Sequence, residues 1–457
     1  MKVVDDFVRE VEARTLDISV IGLGYVGIST AAAFAESGFR VTGYDIDDET
    51  VSMISHNQIL IEEPDLKMVV KRNFEAGRLK AESYSEFEAV GSDCIMICVQ
   101  TPVNNEKIPD LAFVEAVFEK LNNASLRRKA VVLVSTVPPG TLSNYAKHVV
   151  EKTHLKPDEE MFLAYAPERI SPGNPFSEFT RNPRLIGGIG PNSTAAVASL
   201  FETVCRKVVK TDAVSAEISK LAENTYRDVN IAFVNELSLI CEAAGADVTE
   251  VIRLANSHPR VALHRPGPGV GGPCLTKDPY FLLANNSIGQ EIDVIATARR
   301  TNDFMSVHAA KIIMNALESA GIKKNQSAVA LLGMAYKAGV GDMRCSPAVR
   351  IKDVLLTEGI VLRIYDPYVR DDLNGLIVDS IEECVRGADC LVVLTDHLDF
   401  KGINLGKVKP LMNRRPIIVD TRRVFDPQEA LRVGFSYYGI GYGMKNSPRL
   451  GTNFSSG

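Results

Sequence analysis

One stretch of the chain, Pro266-Gly-Pro-Gly-Val-Gly-Gly-Pro-Cys274-Leu-Thr-Lys-Asp278, sets a cysteine behind four glycines and three prolines, with an aspartate four residues on. Glycine lets a backbone take positive φ and approach a ligand closely, while proline stiffens the rest of the loop. A thiol presented in this way meets substrate atoms that a bulkier wall would exclude. Residues 275–283 read as a helix, which sets Cys274 near a helix N-terminus where the dipole favours thiolate. A second constellation lies upstream, where Lys220, Asn224 and Arg227 recur at i, i+4 and i+7 and so share one face of a helix. Cation, amide and cation on one stripe suit an anion-stabilising surface; the alternative is a solvated face.

A third stretch binds rather than reacts. Asp17-Ile-Ser-Val-Ile-Gly22 reads as a buried strand running into Gly22-Leu-Gly24-Tyr25-Val26-Gly27, then an alanine-rich helix, then Arg40-Val-Thr-Gly-Tyr-Asp45. Strand, glycine turn, helix, strand and terminal acid together make the dinucleotide fingerprint in its required context. The turn seats a pyrophosphate on the helix N-terminus. Asp45 would accept hydrogen bonds from the adenosine ribose and repel a 2′-phosphate, favouring NAD over NADP. Further strand ends carry Thr101, Thr136 and the pair Glu168-Arg169. The threonines either touch the cofactor or serve as turn hydroxyls bonding their own backbone, and the Glu168-Arg169 pair has a surface salt bridge as its alternative.

The elements that must position these residues divide the 457-residue chain into several domains. Residues 1–15 form an amphipathic N-terminal extension with Val3, Val4, Phe7, Val8 and Val11 on its apolar side. Residues 16–212 form a Rossmann-like α/β domain. Residues 213–320 form an all-helical middle, with long helices over 215–245 and 291–320 that connect two α/β domains and offer a dimer seam. Residues 321–444 form a second Rossmann-like domain, in which Gly333-Met-Ala-Tyr-Lys337 replaces the three-glycine fingerprint and Asp366 ends a strand as Asp45 does. Residues 445–457 are a flexible tail. The fold class is thus α/β, two doubly wound parallel sheets joined by long helices.

Composition bounds the partners. With 46% hydrophobic and 24% charged residues the chain reads as an ordinary globular protein. A net charge of -6 argues against a nucleic-acid groove or an anionic membrane surface. The eight cysteines show no CxxC or metal-ligand spacing, so reduced thiols, a cytoplasmic setting and no metal are expected. Neither a signal-peptide core nor a membrane-spanning apolar run is present in the sequence.

With these residues in view, the chain resembles the UDP-glucose/GDP-mannose dehydrogenase family along nearly its whole length. The resemblance rests on Gly22-Leu-Gly-Tyr-Val-Gly27, Glu63-Pro64, Ser135-Thr136-Val-Pro-Pro-Gly140, Pro167-Glu168-Arg169, the Lys220/Asn224 helix, the Cys274 loop with Asp278, and Gly333-Met-Ala-Tyr-Lys337 through Arg344-Cys-Ser-Pro347. Residues 223–237 and Ala255-Asn-Ser-His-Pro-Arg-Val261 look most like the branch acting on UDP-N-acetyl-D-mannosamine. Pro273 departs from that branch, which often carries His there, and Arg422 stands where lysine is common.

The resemblance implies a four-electron oxidation of a sugar C6 alcohol to a carboxylate with two NAD⁺ in turn. Cys274 would form a thiohemiacetal and then a thioester, and Lys220 and Asn224 would stabilise oxyanions. Lys220 is alternatively the acid/base for the alcohol. Asp278, or less strongly Glu168, would handle the hydrolytic water. Arg169, Ile170, Lys220, Asn224, Arg227, His258, Arg260, Gly269, Tyr336, Lys337 and Arg422 would hold the UDP-sugar, with His258 and Arg260 reaching from a partner subunit of a homodimer. Gly22, Gly24, Tyr25, Val26, Gly27, Asp45, Thr101, Thr136 and Arg344 would hold NAD. UDP-glucose, UDP-N-acetylglucosamine and GDP-mannose are alternative substrates, and a non-catalytic nucleotide-binding protein is a remote one.

Overall fold

The computed structural model describes residues 2–56, 58, 63–170, 175–284 and 292–443. The expected tail, 445–457, lies outside them. Two compact units divide the chain: Met1–Glu223 with Tyr280–Ser287, and Asn224–Pro279 with Ile288–Gly457.

The first unit is built on eight strands: β1 (Asp17–Ile21), β2 (Arg40–Asp45), β3 (Leu79–Ser83), β4 (Cys94–Ile97), β5 (Ala130–Leu133), β6 (Phe162–Tyr165), β7 (Arg184–Gly188) and β8 (Val208–Asp212). They lie in the order β3-β2-β1-β4-β5-β6-β7-β8. All neighbours are parallel except β6 and β7, an antiparallel step the sequence pattern does not announce. The central strands are apolar on both faces, as a parallel sheet covered on both sides requires. Val20, Met96, Val132 and Ala164 face one core, and Ile21, Ile97, Leu133 and Leu163 face the other. Strand order reverses between β1 and β4, which pair Ile18 with Cys94 through Ile21 with Ile97. That reversal opens a crevice at the strands' C-terminal ends, where the glycine turn sits.

The helix Lys2–Ala13 belongs to this unit's core. Phe7 and Val11 are buried, and the Phe7 ring meets Phe162 of β6 edge-on at 5.2 Å. The segment read as an extension is therefore a packed element.

The second unit carries β9 (Ala328–Leu332), β10 (Val361–Tyr365), β11 (Cys390–Val393), β12 (Ile417–Asp420) and β13 (Ser436–Gly439), all parallel in the order β10-β9-β11-β12-β13. Its two faces again bury alternate residues, Val329, Leu331 and Val392 on one side and Ala330, Leu332 and Val393 on the other. The long helix Ala213–Ala244 begins in the first unit and continues in the second. A second long helix, Val294–Ser319, packs in the second unit's core through Met305, Ala309, Ile313 and Leu317. Residue 291, where that helix was expected to start, lies outside the described residues. No helix among the described residues is long and apolar enough to cross a membrane.

Candidate active site

In the first unit the glycine turn is shaped as a cradle. Gly22 holds φ +90, and a Cβ there would lie 2.9 Å from the Cys98 carbonyl oxygen. A Cβ on Gly27 would overlap the Gly22 carbonyl, so only glycine lets the helix start this close to β1. Gly24 is the N-cap of the helix Tyr25–Glu36, and among the described residues no atom beyond its own chain neighbours and the helix backbone lies within 4 Å of where its Cβ would be. The helix N-terminus thus opens onto free space, which fits a pyrophosphate. The Asp45 Oδ2 accepts from Leu23 N at 2.7 Å and its Oδ1 from Asp47 N at 3.0 Å, so the acid at the end of β2 is fastened to the turn. Tyr25 donates its hydroxyl to Glu63 at 2.9 Å, and Val26 packs on the core. Thr101 donates to the Thr136 carbonyl at 2.8 Å, joining the loops after β4 and β5.

Glu168 and Arg169 do not pair with each other. Arg169 turns to Glu223, with Nε to Oε2 at 3.0 Å and Nη2 to Oε1 at 2.6 Å, and donates Nη1 to the Pro183 carbonyl at 2.7 Å. Glu168 points inward, where burial pushes its carboxyl up to about 7 against the opposing pull of Lys220 and Arg184. The Ile170 N–H donates to Glu168, and the Ile170 side chain packs on the core. Residues 171–173 of this loop lie outside the described residues. Lys220 is buried. One turn before it, buried Glu217 accepts from Gly140 N at 2.6 Å and Leu142 N at 2.9 Å, fixing the loop of Thr136 to the long helix. The sequence reading missed Glu217; its signal was an acid within the apolar part of the helix.

In the second unit Cys274 is exposed, while Cys94, Cys205, Cys241, Cys384 and Cys390 are buried. The helix expected over 275–283 starts later, at Asp278. Thr276 donates back to the Gly272 carbonyl at 2.6 Å and keeps 275–277 in turns, and Pro279 then sits in the first helical turn, where its missing N–H costs nothing. Lys277 N and Asp278 N both donate to the Cys274 carbonyl, at 3.1 and 2.9 Å. Asp278 is 1% exposed and accepts from Asn224 Nδ2 at 2.6 Å and Lys277 Nζ at 3.1 Å. Two expected residues, Asn224 and Asp278, are thus joined directly, and Lys277 is a third member that the sequence reading passed over.

The loop glycines serve close packing. A Cβ on Gly272, at φ +88, would lie 2.7 Å from the Tyr336 ring, and one on Gly267 would lie 2.6 Å from Arg422 Nη1. Gly269 holds φ +128, and Gly272 N donates to the Arg344 carbonyl at 3.0 Å. Burial raises the Tyr336 hydroxyl, helped by Asp342 and Cys274 and opposed by Arg344 and Arg227. These groups therefore share one electrostatic neighbourhood. Arg344, expected as a cofactor contact, stands here and is clasped by Asp342 at 2.6 Å. Arg422 donates Nε to the Leu394 carbonyl at 3.0 Å. Lys337, His258 and Arg260 are exposed, and the Arg260 N–H donates to His258 Nδ1 at 3.3 Å.

Comparison with known proteins matches this geometry to a family. Residues 16–205 match the NAD binding domain of the UDP-glucose/GDP-mannose dehydrogenase family, 214–304 its central domain and 330–427 its UDP binding domain. The chain is similar to UDP-N-acetyl-D-mannosamine dehydrogenase of Pyrococcus horikoshii, 40% identical over 93% of this chain and 99% of the relative. It is 38% identical to the protein of that name from Escherichia coli, over 85% and 95% of the two chains. The solved P. horikoshii structure superposes with a TM-score of 0.87, at 39% identity, covering 94% of this chain and all of that one. The NDP-N-acetyl-D-galactosaminuronic acid dehydrogenase of Methanosarcina mazei superposes with a TM-score of 0.83, at 32% identity over 96% and 98% of the chains. The chain therefore belongs to the UDP-glucose/GDP-mannose dehydrogenase family and is an NAD-dependent oxidoreductase.

Proposed function

We propose that the chain oxidises the C6 alcohol of UDP-N-acetyl-D-mannosamine to the carboxylate of UDP-N-acetyl-D-mannosaminuronate, through covalent attachment to Cys274. The observation that carries the mechanism is the exposed thiol at the end of a glycine loop that is packed on Tyr336 and followed by buried Asp278, bonded to half-buried Asn224. The relatives carry the choice of sugar.

NAD⁺, held at the Gly22–Gly27 cradle and Asp45, supplies hydride acceptance, once for each of two oxidations. Loss of a hydride and a proton from the alcohol leaves an aldehyde. Cys274 Sγ adds to its carbonyl carbon, and the new alkoxide takes a proton to give a thiohemiacetal. Oxidation of that adduct leaves a thioester, and water cleaves it to the carboxylate and the free thiol. Asn224 and Lys220 donate to oxygen as it gains charge; losing one such donor costs about 10²–10³ in rate. Asp278 holds the Asn224 amide in the orientation that donation needs. Glu168, pushed up to about 7, has the proton affinity of a base at neutral pH and suits the hydrolytic water. Tyr336, Lys337, Arg227 and Arg422 face the nucleotide sugar, and Arg169 and Ile170 shape the loop beside Glu168.

The protein acts as a cytoplasmic homodimer. Phe233 and Val294 are 54% and 69% exposed on the two long helices, and a groove of about 320 Å³ runs past Val229, Phe233, Val294 and Ala298. An apolar face of this kind marks an association surface. His258 and Arg260, exposed within one protomer, then serve the partner's site. Turnover of UDP-N-acetylmannosamine, UDP-N-acetylglucosamine, UDP-glucose and GDP-mannose, with NADH counted per uronate, tests the reading. The first sugar should give the highest kcat/KM with two NADH each. A higher kcat/KM for another sugar, a choice consistent with the departure at Pro273, would overturn the substrate assignment.

A further inference from the structure

Beneath the Cys274 loop runs a buried polar chain that the reaction does not use directly. Asp228 lies on the long helix one residue past Arg227 and is fully buried. Arg299 of the Val294–Ser319 helix donates Nη1 to its Oδ1 at 2.5 Å, and Arg299 Nη2 donates to Asp303 at 2.6 Å. Asn302 donates Nδ2 to the same Asp228 Oδ1 at 2.8 Å and to the Asp228 carbonyl at 2.9 Å. Asn235 in turn donates Nδ2 to Asn302 Oδ1 at 2.8 Å. Its own Oδ1 accepts from the Gly267 N–H at 3.0 Å, at the start of the glycine loop. The Asn302 backbone lies close to the loop as well, since a Cβ on Gly269 would lie 3.0 Å from the Asn302 carbonyl oxygen.

The order of donors along this chain is forced from both ends. A carboxylate only accepts and a backbone N–H only donates. Between them stand two amides, each with one accepting and one donating end. With Asp228 charged, Asn302 must turn its NH₂ toward it, Asn235 must follow, and Gly267 N–H meets an oxygen. With a neutral amide at 228 the order loses its charged anchor and rests on the Asp228 carbonyl and the Gly267 N–H alone, and any reversal would set an NH₂ against the Gly267 N–H. Buried polar chains specify one geometry to the extent that their members are satisfied; here the Asp228 Oδ2 has no hydrogen-bond partner among the described residues, and the chain hangs on the contacts of Oδ1.

We infer that Asp228 is a positioning residue for Cys274, acting through Asn302 and Asn235 on the backbone of the loop that presents the thiol. This rests on the covalent role of Cys274 argued above. Asp228→Asn and Asn235→Ala should each lower kcat and the second-order rate of Cys274 alkylation by iodoacetamide by about tenfold, since a small misplacement at a reacting centre is expensive. KM for NAD⁺ should stay within about twofold. Mass spectrometry of the labelled peptides separates Cys274 from exposed Cys345. Because both changes act on one path, the double variant should be no slower than the worse single one. If Asp228→Asn does not fold, Asn235→Ala, which leaves no buried charge unpaired, carries the test alone. Variants that lose thermal stability yet keep the parental kcat and alkylation rate would overturn the inference, as would effects that multiply in the double variant. Failure of the underlying reading looks different: Cys274→Ser would then turn over like the parent.

Discussion

Each sheet carries an aspartate at the end of its second strand, Asp45 as the last residue of β2 and Asp366 just past β10, and the two are used oppositely. In the first, Asp45 bonds two backbone N–H groups and stands beside exposed Gly24, with a helix beginning at Tyr25. In the second, Asp366 accepts from Met334 N, Ala335 N, Tyr368 N and Val369 N. It also accepts from His397 at 3.2 Å; the Gly339 N–H donates to His397 Nδ1, which leaves the proton on Nε2. Ala335, in the place of Gly24, is buried, and Thr395 donates to its carbonyl at 2.6 Å. The next helix waits until Pro347. One half therefore offers a helix N-terminus to a pyrophosphate. The other closes that space and spends 333–346 on a loop bearing Tyr336, Lys337 and Arg344. A shared layout does not carry a shared ligand; the few residues at the turn decide it.

The largest effect that could break this contrast is on stability. Asp366→Ala orphans four backbone donors and His397, at about 1 kcal/mol or more each, so denaturant unfolding should show a loss of about 5 kcal/mol or more. Asp45→Ala should cost only about 1–2 kcal/mol, while raising KM for NAD⁺ at least about tenfold and narrowing the preference over NADP⁺, read by steady-state kinetics. Equal stability losses would show that the two acids do the same job.

A smaller effect separates buried Asp366 from half-buried Glu168 by the sign of their pH dependence. Burial alone would raise Asp366, but His397 and the backbone donors outweigh it and hold it below the usual range. Its contribution is present above the unfolded-state value and is lost as pH falls through the folded one. Glu168 is raised from 4.5 to about 7, so stability falls as pH climbs from about 4.5 to about 7. Glu168→Gln should remove that decline from a series of thermal unfolding curves, and a series unchanged by the substitution would contradict the burial of its charge.

Much of this was readable in the chain. Arg40–Asp45 and the long helix follow from apolar runs and periodicity. Strand β8, Val-Val-Lys-Thr-Asp, is half exposed at a sheet edge and, like β3 at the other edge, lacks the buried pattern that reveals the central strands. The start of the helix after Cys274 depended on Thr276 turning back to Gly272, a local choice that periodicity does not register. Pairings were harder still. Asn224 with Asp278, Arg169 with Glu223 and Asn235 with Asn302 join residues 54, 54 and 67 positions apart. Such separations are set by topology, so residue types could nominate the members without revealing who meets whom.

The most direct test of the cysteine relay is to count NADH and uronate formed by the parent and by Cys274→Ser with UDP-N-acetylmannosamine. The account predicts two NADH per uronate for the parent and loss of uronate formation in the variant. Uronate made by Cys274→Ser at the parental rate, still with two NADH each, would contradict it.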